Sequence, residues 1–198
     1  GKTAAFGIPI VEMSNTKYGG VQALIVTPTR ELAIQVAEEI SRIGKYRRVR
    51  TMPIYGGQSI DRQIRRLRQG VQVVIGTPGR LLDHLSRKTL SLDHVKVIVL
   101  DEADEMLDMG FIDDIESILQ ATPEGRQTLL FSATMPEEIR RLAGKYLHNP
   151  EFITVSKQNL TLPQIEQVYY ETREPNKLES LCRVLDSMTV TLAIIFCR

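Results

Sequence analysis

An almost unbroken apolar run, Val95–Leu100, ends abruptly in the carboxylates Asp101 and Glu102. A strand covered on both faces reads as a continuous apolar run, as in the parallel sheets of α/β proteins. Ligands of such sheets bind beyond the carboxyl ends of the strands. We therefore expect a ligand site at Asp101 and Glu102, where adjacent carboxylates suit Mg²⁺ and phosphate groups. The competing interpretation is that Asp101 caps a following helix.

Four other segments show the same apolar character and predict further strands over residues 21–26, 49–55, 71–75 and 127–131. Segments with helical spacing separate them, so strand and helix alternate along the chain. This alternation indicates βαβ units, and therefore an α/β fold with a mainly parallel sheet. Small, hydroxyl-bearing or basic residues follow these strands: Thr29, Arg30, Gly56, Gly57, Thr77, Gly79, Arg80, Ser132 and Thr134.

The first three residues, Gly1-Lys2-Thr3, match the last positions of the phosphate-binding P-loop pattern G-x-x-x-x-G-K-[ST]. In that loop the Lys reaches the β- and γ-phosphates and the Thr hydroxyl holds magnesium. The tripeptide is common by chance, but here it precedes a strand that ends in Asp-Glu. The sequence after it predicts a helix that Pro9 interrupts.

Composition and charge exclude several classes of function. The chain is 42% hydrophobic and 25% charged with a net charge of +1, so nucleic-acid contacts must come from local basic groups. No apolar run approaches the roughly 20 residues that span a bilayer, and no membrane partner is expected. Cys182 and Cys197 are far apart, which predicts reduced, packed thiols in a cytoplasmic protein.

Several motifs resemble those of the DEAD-box ATP-dependent RNA helicases of superfamily 2. The matching segments stand in family order: Asp101-Glu102-Ala103-Asp104 with Glu105–Phe111, Pro28–Ala33, Gly56-Gly57, Thr77–Arg80 and Ser132–Thr134. The resemblance covers essentially all 198 residues. It implies a RecA-like P-loop NTPase fold, with helices on both faces of the sheet. It also implies an ATP hydrolase that couples ATP binding and hydrolysis to RNA binding and to local duplex unwinding or RNP remodelling.

The resemblance further implies roles for individual residues of the nucleotide site. Lys2 is expected to neutralise the β- and γ-phosphates of ATP, next to Gly1. Thr3 and Asp101 are expected to hold Mg²⁺, Asp101 directly or through water. Glu102 is expected to orient or deprotonate the attacking water.

Two further sets of residues receive roles from the same resemblance. Ser132 and Thr134 are expected to hydrogen-bond Asp104 and to couple the state of the nucleotide to the RNA site. The expected contacts to the RNA backbone, independent of base sequence, are Thr29, Arg30, Gly56, Gly57, Thr77, Gly79 and Arg80.

Local structural explanations compete for some of these residues. Thr29 can cap a helix, Arg30 can be a solvated charge, and Gly56-Gly57 can be an ordinary turn. Thr134 and Glu137 fit a capping box.

The arginines between positions 62 and 68 are interpreted as a solvated helix face, since Ile60, Ile64 and Leu67 already explain the pattern. For the whole protein, two alternatives stay open. One is a DNA-directed helicase of the same superfamily, and the other is an ATP-gated RNA clamp or scaffold without unwinding.

The predicted organisation is an N-terminal RecA-like ATP-binding domain over residues 1–156, a linker over 157–163 and the start of a second RecA-like domain over 164–198. Strands are predicted at 165–170 and 190–196, around a helix that carries Leu178 and Leu181. The upstream part of the P-loop and the later motifs of the second domain do not occur in these residues. We therefore expect negligible hydrolysis or unwinding from residues 1–198 alone. The sequence does not indicate the RNA target or protein partners.

Overall fold

Five short strands pair in one parallel sheet in the computed structural model, which describes residues 1–154 and 168–196. Their order across the sheet is β2-β3-β1-β4-β5, so the first strand lies at the centre. The strands are β1 Ala23–Val26, β2 Thr51–Ile54, β3 Val73–Gly76, β4 Val97–Leu100 and β5 Gln127–Leu130. All five lie within the predicted segments or extend one residue beyond them, and the predicted α/β class is confirmed.

Helices connect the strands. They are α1 Lys2–Met13, α2 Arg30–Ile43, α3 Ile60–Arg68, α4 Pro78–Ser86, α5 Ala103–Asp108, α6 Ile112–Gln120, α7 Glu137–Tyr146 and α8 Lys177–Ser187, with 3₁₀ turns at Lys45–Arg47 and Glu174–Asn176. Within the described ranges, none of these helices combines the length and apolar character that a membrane crossing requires.

Alternating residues of β1, β3 and β4 serve two separate hydrophobic clusters, one on each face of the sheet. Leu24 and Ile98 point to a cluster that includes residues of α4, α5, α6 and α7. Ala23 and Val97 point to the other cluster, which α1 and α2 cover with residues such as Ile10. Because both faces are covered, β1, β3 and β4 are buried along their whole length, as their apolar sequences predicted.

The register of the sheet brings the carboxyl ends of the strands to one edge. Val26 is aligned with Gly76 on one side and with Leu100 on the other. Ile54 is aligned with Gly76, and Leu130 with Leu100. The residues that follow the five strands therefore emerge side by side at the carboxyl edge.

Helix α1 runs through Pro9, so the predicted interruption is wrong. Proline in a helix interior removes a hydrogen bond and costs about 3 kcal/mol. Phe6, Ile10 and Val11 are buried against the sheet and α2. Fully burying a large apolar side chain contributes about 1.5–3 kcal/mol, so three of them offset the cost of Pro9.

The chain divides into two compact units, Gly1–Glu151 and Phe152–Arg198. In the second unit α8 forms as predicted, but Val190–Phe196 is not a strand. A strand requires a hydrogen-bonded neighbour, and the described part of this unit contains no other strand to pair with. Val168–Tyr170 is not a strand either, and the rest of the predicted strand at 165–170 lies outside the described residues. So does the predicted linker, 157–163.

Replacing Gly76 with alanine should destabilise the first unit. A Cβ atom at Gly76 would lie 2.7 Å from Leu81 side-chain atoms and 2.9 Å from the Ile54 carbonyl oxygen. Overpacking of this kind costs about 1–3 kcal/mol. Gly79→Ala in α4 is the matched control, since a Cβ there meets nothing within 4 Å. Urea denaturation should show a lower free energy of unfolding for Gly76→Ala alone. Equal stabilities would contradict the packing described here.

Candidate functional site at the carboxyl edge of the sheet

Asp101 lies at the end of β4 with only 3% of its surface exposed. Its backbone N–H donates to the Val26 carbonyl at 3.0 Å, which continues the sheet, and its Oδ1 has no hydrogen-bond partner within the described residues. Burial raises the pKa of Asp101, and the charge of Lys2 partly offsets this rise. The helix-cap interpretation is wrong for Asp101, because α5 begins at Ala103 with Glu102 as its N-cap residue.

Glu102 adopts a left-handed backbone conformation, with φ 55° and ψ 54°. A residue with a side chain costs about 1–3 kcal/mol in such a region, and these outliers cluster at functional sites. The surrounding backbone holds the conformation in place, since Ala103 N–H donates to the Phe131 carbonyl at 3.0 Å. The half-buried Glu102 side chain thus leaves the sheet beside Asp101.

The amino-terminal end of α1 lies at the same edge. The Phe6 ring packs on the Phe131 ring, directly after β5, with centroids 5.4 Å apart. Helix α1 begins at Lys2, and Gly1 precedes it without a side-chain cap. Lys2 is exposed, Thr3 is half-buried, and the charge of Lys2 acts on Asp101.

These residues fit a magnesium–nucleotide site. The first backbone N–H groups of a helix have no partner within it and attract phosphate. Magnesium takes oxygen ligands, usually one or two carboxylates together with phosphates and water. The unpartnered Oδ1 of Asp101 and the Thr3 hydroxyl are of the required type.

Asp104 joins α5 to the loop after β5. Thr134 donates to Asp104 Oδ2 from its backbone N–H at 2.8 Å and from its hydroxyl at 2.9 Å. The Asp104 N–H donates to Ser132 Oγ at 3.1 Å. Burial acts to raise the pKa of Asp104, but the hydrogen bonds from Thr134 and Ser132 outweigh it and hold the pKa below its ordinary value.

The competing interpretation of Thr134 as part of a capping box is wrong. Helix α7 begins at Glu137, and its N-cap residue is Pro136, which has no side-chain donor or acceptor. The Thr134 hydroxyl bonds Asp104 instead. A carboxylate acceptor makes the stronger bond, because hydrogen bonds to an ionised group are stronger than bonds between neutral groups.

Thr29 and Arg30 follow β1 at the centre of the edge. The Thr29 hydroxyl accepts a bond from Leu32 N–H at 3.3 Å and caps α2, as the local explanation predicted. The exposed Arg30 guanidinium lies over the Tyr55 ring, 5.1 Å from its centroid. Stacking on this ring, which directly precedes Gly56, holds a cation at the end of β2.

The loops after β2 and β3 present open backbone. Gly56 and Gly57 are exposed, and Gly57 has φ +76°, which favours glycine. Nothing lies within 4 Å of the Cβ position at Gly56, Gly57 or Gly79. Thr77 precedes α4, but its side chain does not cap the helix.

Gln63 connects these loops, although the sequence motifs do not include it. Its side chain is 1% exposed and donates to the Tyr55 carbonyl at 3.1 Å. Its Oε1 accepts from Arg80 Nη1 at 3.1 Å and contacts His84 Nε2 at 2.9 Å. Arg80 Nη1 also donates to the Gln58 carbonyl at 2.9 Å. The sequence does contain one indication of this role, because Gln63 is a polar residue on the apolar stripe of α3 formed by Ile60, Ile64 and Leu67.

The carboxyl edge therefore has two halves. The half at β4 and β5 contains the residues expected at the nucleotide and coupling sites: Lys2, Thr3, Asp101, Glu102, Asp104, Ser132 and Thr134. The half at β1, β3 and β2 contains the residues expected to contact RNA: Thr29, Arg30, Gly56, Gly57, Thr77, Gly79 and Arg80.

His84 supports the second half as a neutral imidazole, because burial lowers its pKa and the charge of Arg80 lowers it further.

Comparison with known proteins gives a consistent match. The model of the DEAD/DEAH box helicase family matches residues 1–142. The DEAD-box ATP-dependent RNA helicase CshA of Geobacillus kaustophilus is 58% identical over all of this chain and 42% of its own length. The CshA of Bacillus subtilis is 53% identical over all of this chain and 40% of its own length. The chain thus spans about two-fifths of the length of these relatives.

Solved structures agree with the sequence matches. The crystal structure of a DEAD box protein from the hyperthermophile Methanococcus jannaschii has a TM-score of 0.76 and 50% identity, over 93% of this chain and 49% of that chain. A hypothetical ATP-dependent RNA helicase from Sulfolobus tokodaii has a TM-score of 0.70 and 47% identity, over 76% of this chain and 44% of that chain. The expected RecA-like fold is confirmed. The chain belongs to the DEAD/DEAH box helicase family.

Proposed function

We propose that the intact protein is a DEAD-box ATP-dependent RNA helicase that couples ATP binding and hydrolysis to local RNA unwinding or RNP remodelling. The observation that carries the proposal is the buried Asp101 at the carboxyl edge, whose Oδ1 has no partner within the described residues and which shares this edge with the amino-terminal end of α1 and its Lys2. A cation, an unpartnered carboxylate oxygen and a helix N-terminus there match the needs of a nucleoside triphosphate and its metal ion.

Each residue of the first half has a distinct task in this proposal. Lys2 neutralises the β- and γ-phosphates, and Gly1 lets the chain approach them closely. Thr3 and Asp101 hold Mg²⁺, Asp101 directly or through water, and the ion supplies charge neutralisation at the phosphate oxygens. Glu102 orients or deprotonates the attacking water. Positioning and charge stabilisation of this kind account for most of the catalysis of phosphoryl transfer.

The second half of the edge suits a phosphate backbone. Open glycine backbone, hydroxyls and arginines are the groups that most often contact phosphate oxygens. We propose that Thr29, Arg30, Gly56, Gly57, Thr77, Gly79 and Arg80 bind RNA there. Contacts to phosphate and sugar make binding independent of base sequence and sensitive to salt.

We propose that Asp104, Ser132 and Thr134 couple the state of the nucleotide to the RNA site. Asp104 lies in α5, which follows Glu102 directly, and it holds the loop of Ser132 and Thr134 through its hydrogen bonds. A shift of Glu102 on nucleotide binding would be transmitted through α5 to that loop.

Two alternative functions can be separated from this proposal by experiment. A DNA-directed helicase would also bind phosphates here, so stimulation of ATP hydrolysis by RNA against DNA separates the two. An ATP-gated RNA clamp would bind RNA without separating strands.

We also propose that the protein is located in the cytoplasm and that residues 1–198 alone hydrolyse ATP at a negligible rate.

Glu102→Gln should abolish ATP turnover in the intact enzyme and preserve ATP binding. The amide cannot accept the proton, and loss of a general base lowers the rate about 10²–10⁴-fold. Steady-state hydrolysis and binding of a fluorescent ATP analogue measure the two effects. Glu105→Gln, on the exposed face of α5, is the matched control and should retain activity. Undiminished hydrolysis by Glu102→Gln would remove Glu102 from this role.

Gln63→Leu should weaken RNA binding about tenfold and leave the KM for ATP unchanged. The substitution deprives Arg80, His84 and the Tyr55 carbonyl of a shared buried partner, and each unmade buried bond costs about 1–3 kcal/mol. Fluorescence anisotropy with single-stranded RNA measures the change. Gln69→Leu, at the exposed end of α3, provides the control. A parallel rise in the KM for ATP would show general unfolding instead of a local role in positioning Arg80.

Thr134→Val should raise the pKa of Asp104 and reduce stimulation of hydrolysis by RNA. Hydrogen bonds depress the pKa of the folded carboxyl, so they stabilise the fold above the ordinary pKa. That stabilisation is lost as pH falls through the folded pKa. The variant should therefore lose about 1 kcal/mol of stability at neutral pH and little in acid.

Carboxyl NMR titration and urea denaturation at several pH values test this expectation. Thr16→Val, at an exposed position, is the control. A stability loss that is equal at neutral and acid pH would contradict the assigned hydrogen bond.

A further inference from the structure

The arginines of α3 are part of a larger basic surface that the proposed site does not use. Arg50 joins this helix to the segment before β2, since its Nη1 donates to the Gln69 carbonyl at 2.6 Å. We name the arginine surface by its six exposed members: Arg48, Arg50, Arg62, Arg65, Arg66 and Arg68.

Charge is strongly concentrated on this surface. Residues 45–70 contain eight Lys or Arg and one acidic residue, Asp61, a net charge of +7 in a chain whose net charge is +1. Within residues 1–154 and 168–196, no carboxylate lies within ion-pair distance of any of the six arginines. Unpaired like charges produce a positive field that attracts a polyanion.

A solvated helix face does not account for the whole cluster. Basic residues in the last turn of a helix interact favourably with its dipole, which explains Arg65, Arg66 and Arg68. Arg48 and Arg50 belong to another segment, and the dipole of α3 does not account for Arg48, although Arg50 bonds the Gln69 carbonyl at the end of the helix. They instead extend the basic area around the amino end of β2, the edge strand of the sheet.

The arginine surface leads away from the proposed RNA site. Arg50 precedes β2, and Gly56 and Gly57 follow it, so about 20 Å of extended chain separates the two ends at about 3.3 Å per residue. Helix α3 returns over about 13 Å at about 1.5 Å per residue, with Arg62 in its first turn and Arg68 in its last. The basic residues thus continue from the glycine loop to the opposite edge of the sheet.

We infer that the arginine surface binds the phosphates of RNA nucleotides that lie beyond the proposed contacts at the carboxyl edge. Arginine presents a planar fork that binds phosphate through two parallel hydrogen bonds. Tyr46, 91% exposed, lies in the same segment as Arg48 and offers a ring for a base to stack on. This inference rests on the proposed RNA function and adds a second, outer contact to it.

The test compares RNA lengths in the intact protein. The triple variant Arg65→Gln/Arg66→Gln/Arg68→Gln removes three charges from the arginine surface. Lys17→Gln/Lys96→Gln/Arg141→Gln removes three exposed charges elsewhere and is the matched control. Fluorescence anisotropy with a non-hydrolysable ATP analogue measures binding of single-stranded RNAs of about six and about 20 nucleotides across a salt series. Circular dichroism verifies the fold of each variant.

The inference predicts a selective loss. The arginine variant should bind the long RNA roughly five- to twentyfold more weakly. The slope of log K against the logarithm of the salt concentration should become less steep by about 2, because three phosphate contacts are lost. Binding of the short RNA should be unchanged, and the control variant should bind both RNAs normally. If the arginine variant binds the long RNA with unchanged affinity, the inference is overturned. The same holds if the variant keeps its affinity for RNA and instead no longer binds an acidic protein partner.

Two other outcomes separate this inference from the proposed function. If the unmodified protein binds neither RNA, the proposed function itself fails. If it binds the short RNA and gains nothing from the longer one, the proposed function stands and the arginine surface has no role in RNA binding.

Discussion

The in-register parallel pairing of five strands is the constraint on which the rest of the structure depends. Val26, Gly76 and Leu100 are aligned across the centre of the sheet, so the loops that follow β1, β3 and β4 emerge side by side. Residues far apart in the chain, such as Thr77 and Asp101, therefore reach one edge of the sheet. A shift of one residue in any strand would exchange side chains between the two faces of the sheet and would misalign the loop that follows the strand.

The edge retains features that cost stability. Asp101 is buried with a raised pKa, and Glu102 has a left-handed backbone that costs about 1–3 kcal/mol. The two hydrophobic clusters on either side of the sheet offset these costs. The buried carboxylate of Asp101 is unfavourable in the protein alone, but a bound cation can stabilise it. This is the physical reason to place the nucleotide and its metal ion at the end of β4.

Much of the fold could be predicted because the strands are buried on both faces and are therefore apolar throughout. The run at 190–196 is equally apolar, yet it forms no strand, because strand formation depends on a hydrogen-bonded neighbour that local sequence does not reveal. Thr134 fitted a capping box, but Asp104, distant in sequence, provides the stronger acceptor. Gln63 could be recognised as a polar residue on an apolar stripe, but its partners Arg80 and His84 depend on the tertiary packing of α3 against α4.

The most direct test of the account is to locate the bound nucleotide by paramagnetic broadening. Mn²⁺ would replace Mg²⁺ with a non-hydrolysable ATP analogue, and amide NMR signals of the protein would be followed. The account predicts broadening of the signals of Lys2, Thr3, Asp101 and Glu102, and unaffected signals for Gln22 and Lys96 at the amino ends of β1 and β4. Broadening at Gln22 and Lys96, with sharp signals at Lys2 and Asp101, would contradict it.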